Sequence, residues 1–228
     1  MAKTLVMSLG GSLIAPDGID INFLKKFKSL ILNYTKKGNR IVLICGGGNT
    51  CRNYQKAARV VNPKVKARDL DWIGIATTKL NAELVSAIFG DAAYESILVV
   101  PNKKVATNRK ITVGAGYKPG SSSDKDAVLA AQAFGAKTVI NLSNITYVYD
   151  KDPSKFKNAK PQHKMNWPDF LKLVGTKWVP GAHVPFDPVA SRLAARWKMK
   201  LVVMKGSDLA NLNRFLRGKE FKGTIVGW

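Results

Sequence analysis

The segment Arg40–Arg52, RIVLICGGGNTCR, limits the possible folds of this chain more than any other stretch. Its apolar run, Ile41–Cys45, predicts a buried β-strand that three consecutive glycines end. Asn49 and Thr50 are predicted N-caps of a helix that begins directly after them. Glycines let neighbouring amides point at one anion, and a helix N-terminus adds partial positive charge. A tight turn alone would need one such glycine, so three of them followed by Arg52 favour a phosphate site.

Strand and helix signals alternate along nearly the whole chain. Strands are predicted at Leu5–Leu9, Arg40–Cys45, Ile97–Val100, Lys110–Val113, Thr138–Leu142, Leu201–Met204 and Gly223–Val226. Helices are predicted from the caps Asp20, Asn166, Asp187 and Ser207, and at about Cys51–Val61, Asp69–Phe89 and Asp124–Phe134. This alternation predicts one α/β domain, residues 1–228, on a largely parallel sheet.

The longest predicted helix, Asp69–Phe89, has a clear apolar face and ends at Gly90. The face consists of Ile73, Ile75, Leu80, Leu84, Ile88 and Phe89. Asp71 lies in the first predicted turn, where a carboxylate compensates the helix dipole or caps the helix. On sequence alone, this ordinary role is favoured for Asp71.

Four predicted strands end in turns that are rich in glycine or hydroxyl groups. These turns are Gly10–Ser12, Gly46–Gly48, Gly114–Ser123 and Ser143–Asn144. Because ligands of α/β sheets bind at the carboxyl ends of strands, four such turns on one edge predict a crevice with several anion sites. The third turn lacks the Gly-Lys-Ser/Thr of a P-loop, and a plain loop with an N-cap serine would look similar.

The charge is unusual, since 37 Lys and Arg against 15 Asp and Glu give a formal net charge of +22. Anionic partners are therefore favoured, but the scattered lysines predict a basic surface and not a dedicated nucleic-acid face. Cys45, Cys51, His163 and His183 lack the spacing of a zinc or redox site. The N-terminus has no signal-peptide pattern, and no run is long enough for a membrane span. A soluble, cytoplasmic protein without a metal site of its own is expected.

Six segments in register resemble the amino-acid kinase superfamily, over essentially the whole chain. Within that superfamily, they are similar to the archaeal-type uridylate (UMP) kinases. The segments are SLGGSL (Ser8–Leu13), GGGNTCRNY (Gly46–Tyr54), DWIGIATTKLNA (Asp71–Ala82), GYKPGSSSD (Gly116–Asp124), NITYVYDKDP (Asn144–Pro153) and PFDPVASRLA (Pro185–Ala194).

The resemblance implies a carbamate-kinase-like, three-layer α/β/α sandwich. It implies transfer of the γ-phosphoryl group of ATP to UMP in pyrimidine nucleotide synthesis, with Mg²⁺ and commonly in a homohexamer. Residues 1–135 would form the phosphate-acceptor side, and residues 136–228 the ATP side.

Carried onto matching positions, the resemblance also implies site residues. ATP would be held by Ser8, Leu9, Gly10, Gly11, Ser12, Gly48, Arg52, Ser143, Tyr149 and Asp152. UMP would be held by Gly47, Asp71, Gly116, Tyr117, Lys118, Pro119, Gly120, Ser121 and Ser122. Backbone amides of Gly10, Gly11, Gly47 and Gly48 would bind phosphate oxygens. The implied catalytic residues are Arg52, which would grip the transferring phosphoryl group, and Asp124, which would orient a lysine, the metal or the attacking phosphate. For Asp124, helix capping stays open.

Three positions depart from the family pattern. Ser8 stands where many relatives have a lysine, so Lys118, Lys151 or Mg²⁺ would have to supply the positive charge. Thr146 and Tyr147 replace an Asp-Gly pair on the adenine side. Serines replace the two threonines that usually precede the aspartate at 124.

Other functions are compatible with parts of this pattern. Another kinase of the superfamily, for isopentenyl phosphate, carbamate or acetylglutamate, is one. Isopentenyl phosphate kinases carry a histidine close to the glycine loop, whereas His163 and His183 are remote from Gly46–Gly48 in sequence. A non-catalytic nucleotide or oxyanion-binding protein is another, given the absent lysine. Nucleic-acid binding through the positive charge is a third.

Overall fold

The structure, a computed structural model, describes residues 3–151, 153, 155–176 and 184–228. Its strands are β1 (Thr4–Leu9), β2 (Arg40–Cys45), β3 (Ile111–Gly114), β4 (Thr138–Ser143), β5 (Val148–Tyr149), β6 (Pro161–Gln162), β7 (Lys164–Asn166), β8 (Lys200–Lys205) and β9 (Thr224–Gly227). Its α-helices are α1 (Gly11–Ile14), α2 (Ile21–Thr35), α3 (Gly48–Val61), α4 (Ala67–Phe89), α5 (Ser123–Ala133), α6 (Trp167–Val174), α7 (Pro188–Arg196) and α8 (Leu209–Leu216).

One large sheet organises the described residues, with the strand order β3-β2-β1-β4-β8-β9-β7. The strands from β3 to β8 run parallel, whereas β9 is antiparallel to β8. The two short strands β5 and β6 pair separately. The predicted largely parallel sheet is thus confirmed, and the carboxyl ends of β3, β2, β1 and β4 are neighbours on one edge.

Both faces of the sheet are covered, which explains why its strands are apolar on both sides. In β1, Met7 and Leu9 point into a core shared with α2, α4 and α8, whereas Val6 points into a second core shared with α5, α6 and α7. The implied three-layer α/β/α sandwich is therefore confirmed. In the ranges given above, each helix is too short or too polar to cross a membrane.

Most helix boundaries agree with the sequence signals. Asp20, Asn166 and Asp187 cap α2, α6 and α7 by accepting bonds from backbone amides. The last helix is capped by Asp208 and not by Ser207. The predicted caps Asn49 and Thr50 are also wrong, because both lie inside α3, which begins at Gly48.

Two apolar segments differ from their predictions. Ile97–Val100 forms no strand, because only an isolated bridge between Leu98 and Gly114 joins it to the sheet. On α4, Leu80 is 63% exposed, whereas Thr77 and Asn81 are buried. The buried face of α4 turns polar there because it packs on the glycine turn after β2.

Cys45 is fully buried, and this burial raises the pKa of its thiol to about 12, as befits an inert core residue.

Candidate active site

The glycine turns after β1 and β2 pack directly against each other. A Cβ atom on Gly11 would lie 2.1 Å from the amide nitrogen of Gly48, and one on Gly48 would lie 2.4 Å from the carbonyl of Gly11. Gly48 also has a φ of +65°, which side chains rarely adopt. Only glycine fits at both positions, so the two turns form one surface of bare backbone.

Hydrogen bonds decide which amides of these turns remain for a phosphate. The Gly10 amide donates to the carbonyl of Leu142 on β4 (3.2 Å), and the Gly46 amide donates to the carbonyl of Leu9 (2.9 Å). The bond to Leu142 engages the Gly10 amide in this structure, and the phosphate role of Gly10 stays a prediction. Leu9 likewise contributes its side chain to the core and its carbonyl to this bond. Gly11 and Gly48 begin α1 and α3, where helix N-termini leave amides for an anion.

Asn81 of α4 fixes the second glycine turn, and the sequence analysis missed it. Its Nδ2 donates to the carbonyl oxygens of Gly46 (2.7 Å) and Gly47 (3.3 Å), and the residue is 3% exposed. The signal that could have found Asn81 is a lone amide between buried helix positions, since buried polar groups are bonded.

The same helix holds the glycine- and serine-rich loop 116–122. Asp71 Oδ2 accepts a bond from the Gly120 amide (2.8 Å), and Thr78 Oγ1 accepts one from the Gly116 amide (2.8 Å). The N-cap of α4 is Lys66, and its first-turn carboxylate is Asp69. The ordinary capping role favoured for Asp71 is therefore wrong. Instead, the structure brings Asp71 together with the loop for which UMP binding is expected.

A second carboxylate, that of Asp126 on α5, holds this loop from the other side. Its Oδ2 accepts a bond from the Tyr117 amide (3.0 Å), and its Oδ1 accepts one from the Ser121 hydroxyl (2.7 Å). The Ser121 amide donates to the carbonyl of Lys118 (3.1 Å). Both donors of Ser121 are thus used inside the protein, and the contact of Ser121 with UMP stays a prediction. The Lys118 ammonium lies 5.2 Å from the centroid of the Tyr117 ring, and Ser122 caps α5 by accepting from the Lys125 amide.

Asp124 joins three elements at the carboxyl edge of the sheet. Its Oδ1 accepts a bond from the Ser8 hydroxyl of β1 (2.9 Å), and its Oδ2 accepts one from the Asp187 amide at the start of α7 (3.2 Å). Because Ser122 caps α5, the capping alternative for Asp124 is wrong. The residue is half-buried, but its carboxyl group is enclosed, and burial raises the pKa of Asp124 to about 6. Burial likewise raises the pKa of Asp126 to about 6.

Beside Asp124 lies a cavity of about 470 Å³. Ser143 and Tyr149, for which ATP contacts are expected, line this cavity together with Asp124. Residues that the sequence analysis did not assign to ATP also line it, namely Asn141, Asn144, Tyr147 and Lys151. Asp152 lies outside the described residues. A nucleotide-sized cavity with polar groups at one end is typical of ligand sites.

Some expected site residues lie outside this cavity. Arg52 is exposed on the second turn of α3, one turn further into the helix than predicted, and Ser12 is exposed on α1. Within the described ranges, no group of three His, Cys, Asp or Glu side chains could hold a metal ion.

Comparison with known proteins agrees with this geometry. The chain matches the amino acid kinase family over residues 3–205. It is 35% identical over 226 residues to the uridylate kinase of Methanospirillum hungatei, with 98% of this chain and 94% of the relative covered. It is 31% identical over 229 residues to the uridylate kinase of Thermoplasma acidophilum, with 99% and 97% covered. The solved uridylate kinase of Archaeoglobus fulgidus has a TM-score of 0.84 at 27% identity, with 98% of this chain and 99% of that chain covered.

The fold and the backbone-walled edge are those of a phosphate-binding α/β enzyme. The chain belongs to the amino acid kinase family.

Proposed function

We propose that this protein is a UMP kinase, which transfers the γ-phosphoryl group of ATP to UMP to give UDP in pyrimidine nucleotide synthesis. One observation carries the proposal: Asp124 lines the cavity beside β4 and lies two residues after the loop 116–122. The proposed donor and acceptor sites would therefore meet at one carboxylate. Phosphoryl transfer requires this arrangement, because positioning and charge stabilisation supply most of the catalysis.

On the acceptor side, the loop 116–122 and Gly47 would receive UMP. Among the described residues, Asp71 accepts one bond, from the Gly120 amide to Oδ2, so its Oδ1 can accept from a ribose hydroxyl. The loop backbone, fixed by Thr78 and Asp126, would line the nucleotide phosphate. This assignment agrees with the proposed acceptor half, residues 1–135.

On the donor side, ATP would occupy the cavity beside β4, with its base near Tyr149. Its phosphates would extend towards the turn formed by Gly11, Ser12 and Gly48. Arg52, always charged and able to donate two parallel bonds, would grip the transferring phosphoryl group. Residues 136–228 supply most of the cavity walls, as the proposed ATP half requires.

The positive charge that many relatives obtain from a lysine at position 8 must have another source here. Lys151 lines the cavity beside β4, which we call the donor cavity. Lys118 extends from the loop 116–122, which we call the acceptor loop. Mg²⁺ usually binds through one or two carboxylates together with substrate phosphates and water. The possible metal ligands at this edge are carboxylates and hydroxyls, and the described residues contain no group of three His, Cys, Asp or Glu that could hold a metal ion. These ligands fit an ion that arrives with ATP. A homohexamer and a cytoplasmic location stay predictions.

The structure gives a reason to prefer UMP over isopentenyl phosphate. The ring of His163 packs edge-on against the ring of Tyr147, with centroids 4.8 Å apart. The backbone carbonyl of His163 accepts a bond from the amide of Ile225 on β9. Three strands, β1, β4 and β8, separate β9 from the glycine turn of β2. His163 therefore cannot serve as the histidine beside the glycine loop, and His183 lies outside the described residues.

A side-by-side assay with Mg²⁺–ATP and either UMP, CMP or isopentenyl phosphate tests the proposal. We expect UDP as the main product. Transfer to isopentenyl phosphate alone would contradict it, and binding of ATP and UMP without any UDP would favour a non-catalytic protein. Binding to DNA or RNA that persists at physiological salt would favour the nucleic-acid alternative.

A further inference from the structure

The carboxyl group of Asp126 is buried in the centre of the molecule without a role in the proposed phosphoryl transfer. The residue is 0% exposed, and its neighbours on α5, Ala127 and Val128, are also fully buried. Burying a carboxyl group is costly unless hydrogen bonds hold it. The bonds that Asp126 makes therefore indicate what it does.

Both bonds go to one turn of the acceptor loop. Asp126 accepts from the Tyr117 amide at the start of the turn and from the Ser121 hydroxyl at its end. Inside the turn, the Ser121 amide donates to the Lys118 carbonyl, and the Asp126 amide donates to the Ser122 carbonyl. One side chain thus joins both ends of the turn 117–121 to the first turns of α5.

The opposite side of the loop is held by α4, through Thr78 at Gly116 and Asp71 at Gly120. Asp71 is half-buried, and its bond to Gly120 lies at the surface. Asp126 is the fully buried partner of the pair. It is therefore the better anchor, because its bonds are less open to solvent than the exposed bond of Asp71.

We propose that Asp126 is a positioning residue, which fixes the turn 117–121 in the shape that receives the phosphate of the acceptor nucleotide. This inference rests on the proposed function, since it takes UMP as the acceptor. Asp126 does not line the donor cavity. Its loss should therefore weaken UMP binding and leave ATP binding unchanged.

Four variants test this role. Asp126→Ala removes both bonds. Asp126→Asn can keep both, because its Oδ1 accepts from the Tyr117 amide and its Nδ2 donates to the Ser121 oxygen. Ser121→Ala removes one bond with little change in volume. Asn211→Ala is the matched control: Asn211 is 5% exposed and makes two bonds of 2.7 Å to the backbone of Lys222, away from the acceptor loop.

Steady-state kinetics with each nucleotide varied give the first measurement. We expect Asp126→Ala to raise the KM for UMP about tenfold, as the loss of two hydrogen bonds predicts, with the KM for ATP unchanged. Ser121→Ala should raise it less, and Asp126→Asn should restore it. Equal changes in both KM values, or an equal rise of the UMP KM in Asn211→Ala, would overturn the positioning role.

Hydrogen exchange at the Tyr117 amide gives a measurement that does not depend on activity. It should be faster in Asp126→Ala than in the wild type, and unchanged in Asp126→Asn and Asn211→Ala. If Asp126→Ala does not fold, the comparison of KM values is made with Ser121→Ala, which removes the other bond of Asp126, and an unchanged UMP KM in that variant would overturn the inference. Absence of UDP formation by the wild type would instead contradict the proposed function, whatever the exchange rates are.

Discussion

The acceptor loop and the donor cavity are built in opposite ways. Side chains from two helices hold the acceptor loop at four points: Asp71, Thr78 and one oxygen of Asp126 accept from three backbone amides, and the other oxygen of Asp126 accepts from the Ser121 hydroxyl. The donor cavity is an open space between segments, and Asn141 bonds its wall at Pro185 (2.9 Å). A loop that is already fixed loses little entropy on binding. The difference therefore indicates that the acceptor site is preformed, whereas the donor site has room to adjust to its nucleotide.

The largest effect is expected where the glycine turns after β1 and β2 pack against each other. Gly48→Ala would place a Cβ against the Gly11 carbonyl, so we expect a loss of more than about 4 kcal/mol of folding free energy or no folded protein. Gly218→Ala is the control, since Gly218 has a similar φ of +70° but no atom within 4 Å of the added Cβ. Gly218→Ala should lower the free energy of unfolding, measured in urea, by about 1–2 kcal/mol. Equal costs would show that close approach is not the reason for glycine at position 48.

The free-energy cost of burying the Asp126 carboxylate, which fixes the acceptor loop, should appear in the pH dependence of stability. Burial raises the pKa of Asp126 to about 6 in the folded protein, from an ordinary value of 3.8. The folded state therefore binds the proton of the Asp126 carboxyl group more tightly than the unfolded state does. The stability that this proton contributes is complete below pH 4 and is lost as the pH rises through 6.

Asp126→Asn, which stays neutral, should be more stable than the wild type by about 3 kcal/mol above pH 7, with no difference near pH 4. Urea unfolding at several pH values measures this. The charge of Asp126 also raises the pKa of Asp124, so removing that charge changes the titration of Asp124 and adds to the same pH-dependent difference. A stability difference that is constant with pH would contradict the buried-charge account.

Arg52→Ala tests the proposed role of Arg52 in binding the transferring phosphoryl group. Because Arg52 is exposed, the melting temperature should change little, whereas kcat should fall about 100-fold, as when one transition-state donor is removed. Arg59→Ala, in the last turn of the same helix, is the control and should keep normal kcat. Unchanged turnover in Arg52→Ala would show that Arg52 is only a surface residue.

Asp71→Asn should have the smallest effect and separates the two sites. The amide oxygen of Asn can still accept from Gly120, but the charge for a ribose hydroxyl is lost. The KM for UMP should therefore rise about tenfold while that for ATP stays the same. Asp69→Asn, two residues earlier on α4, is the control. Equal effects of Asp71→Asn on both nucleotides would contradict its assignment.

Local signals in the sequence predicted the frame of the molecule well. Apolar runs ended by glycine predicted β1 and β2, an apolar run ended by Ser143-Asn144 predicted β4, and Asp-Pro at 187–188 predicted the start of α7. The same signals failed where backbone contacts between segments decide the structure. Asn49 and Thr50 are good caps in isolation, yet α3 begins at Gly48 because the packing on Gly11 sets the turn.

The bonds that shape the site could not be predicted from local patterns. Asp71 and Gly120 are 49 positions apart, and Asn81 and Gly46 are 35 apart. Such pairs depend on where α4 lies against the sheet, which periodicity does not specify. Periodicity placed Leu80 in the core, whereas the helix is rotated so that its neighbour Asn81 faces the glycine turn.

The helix α4 sets the distance between two parts of the edge where the proposed site lies. Asp71 bonds the loop 116–122, and Asn81 bonds the glycine turn after β2, ten positions and about 15 Å further along the same helix. One inserted or deleted residue between these two positions would rotate one contact by about 100° relative to the other. The length of this stretch should therefore tolerate less variation than its composition, because the number of helical residues fixes where the loop lies relative to the turn.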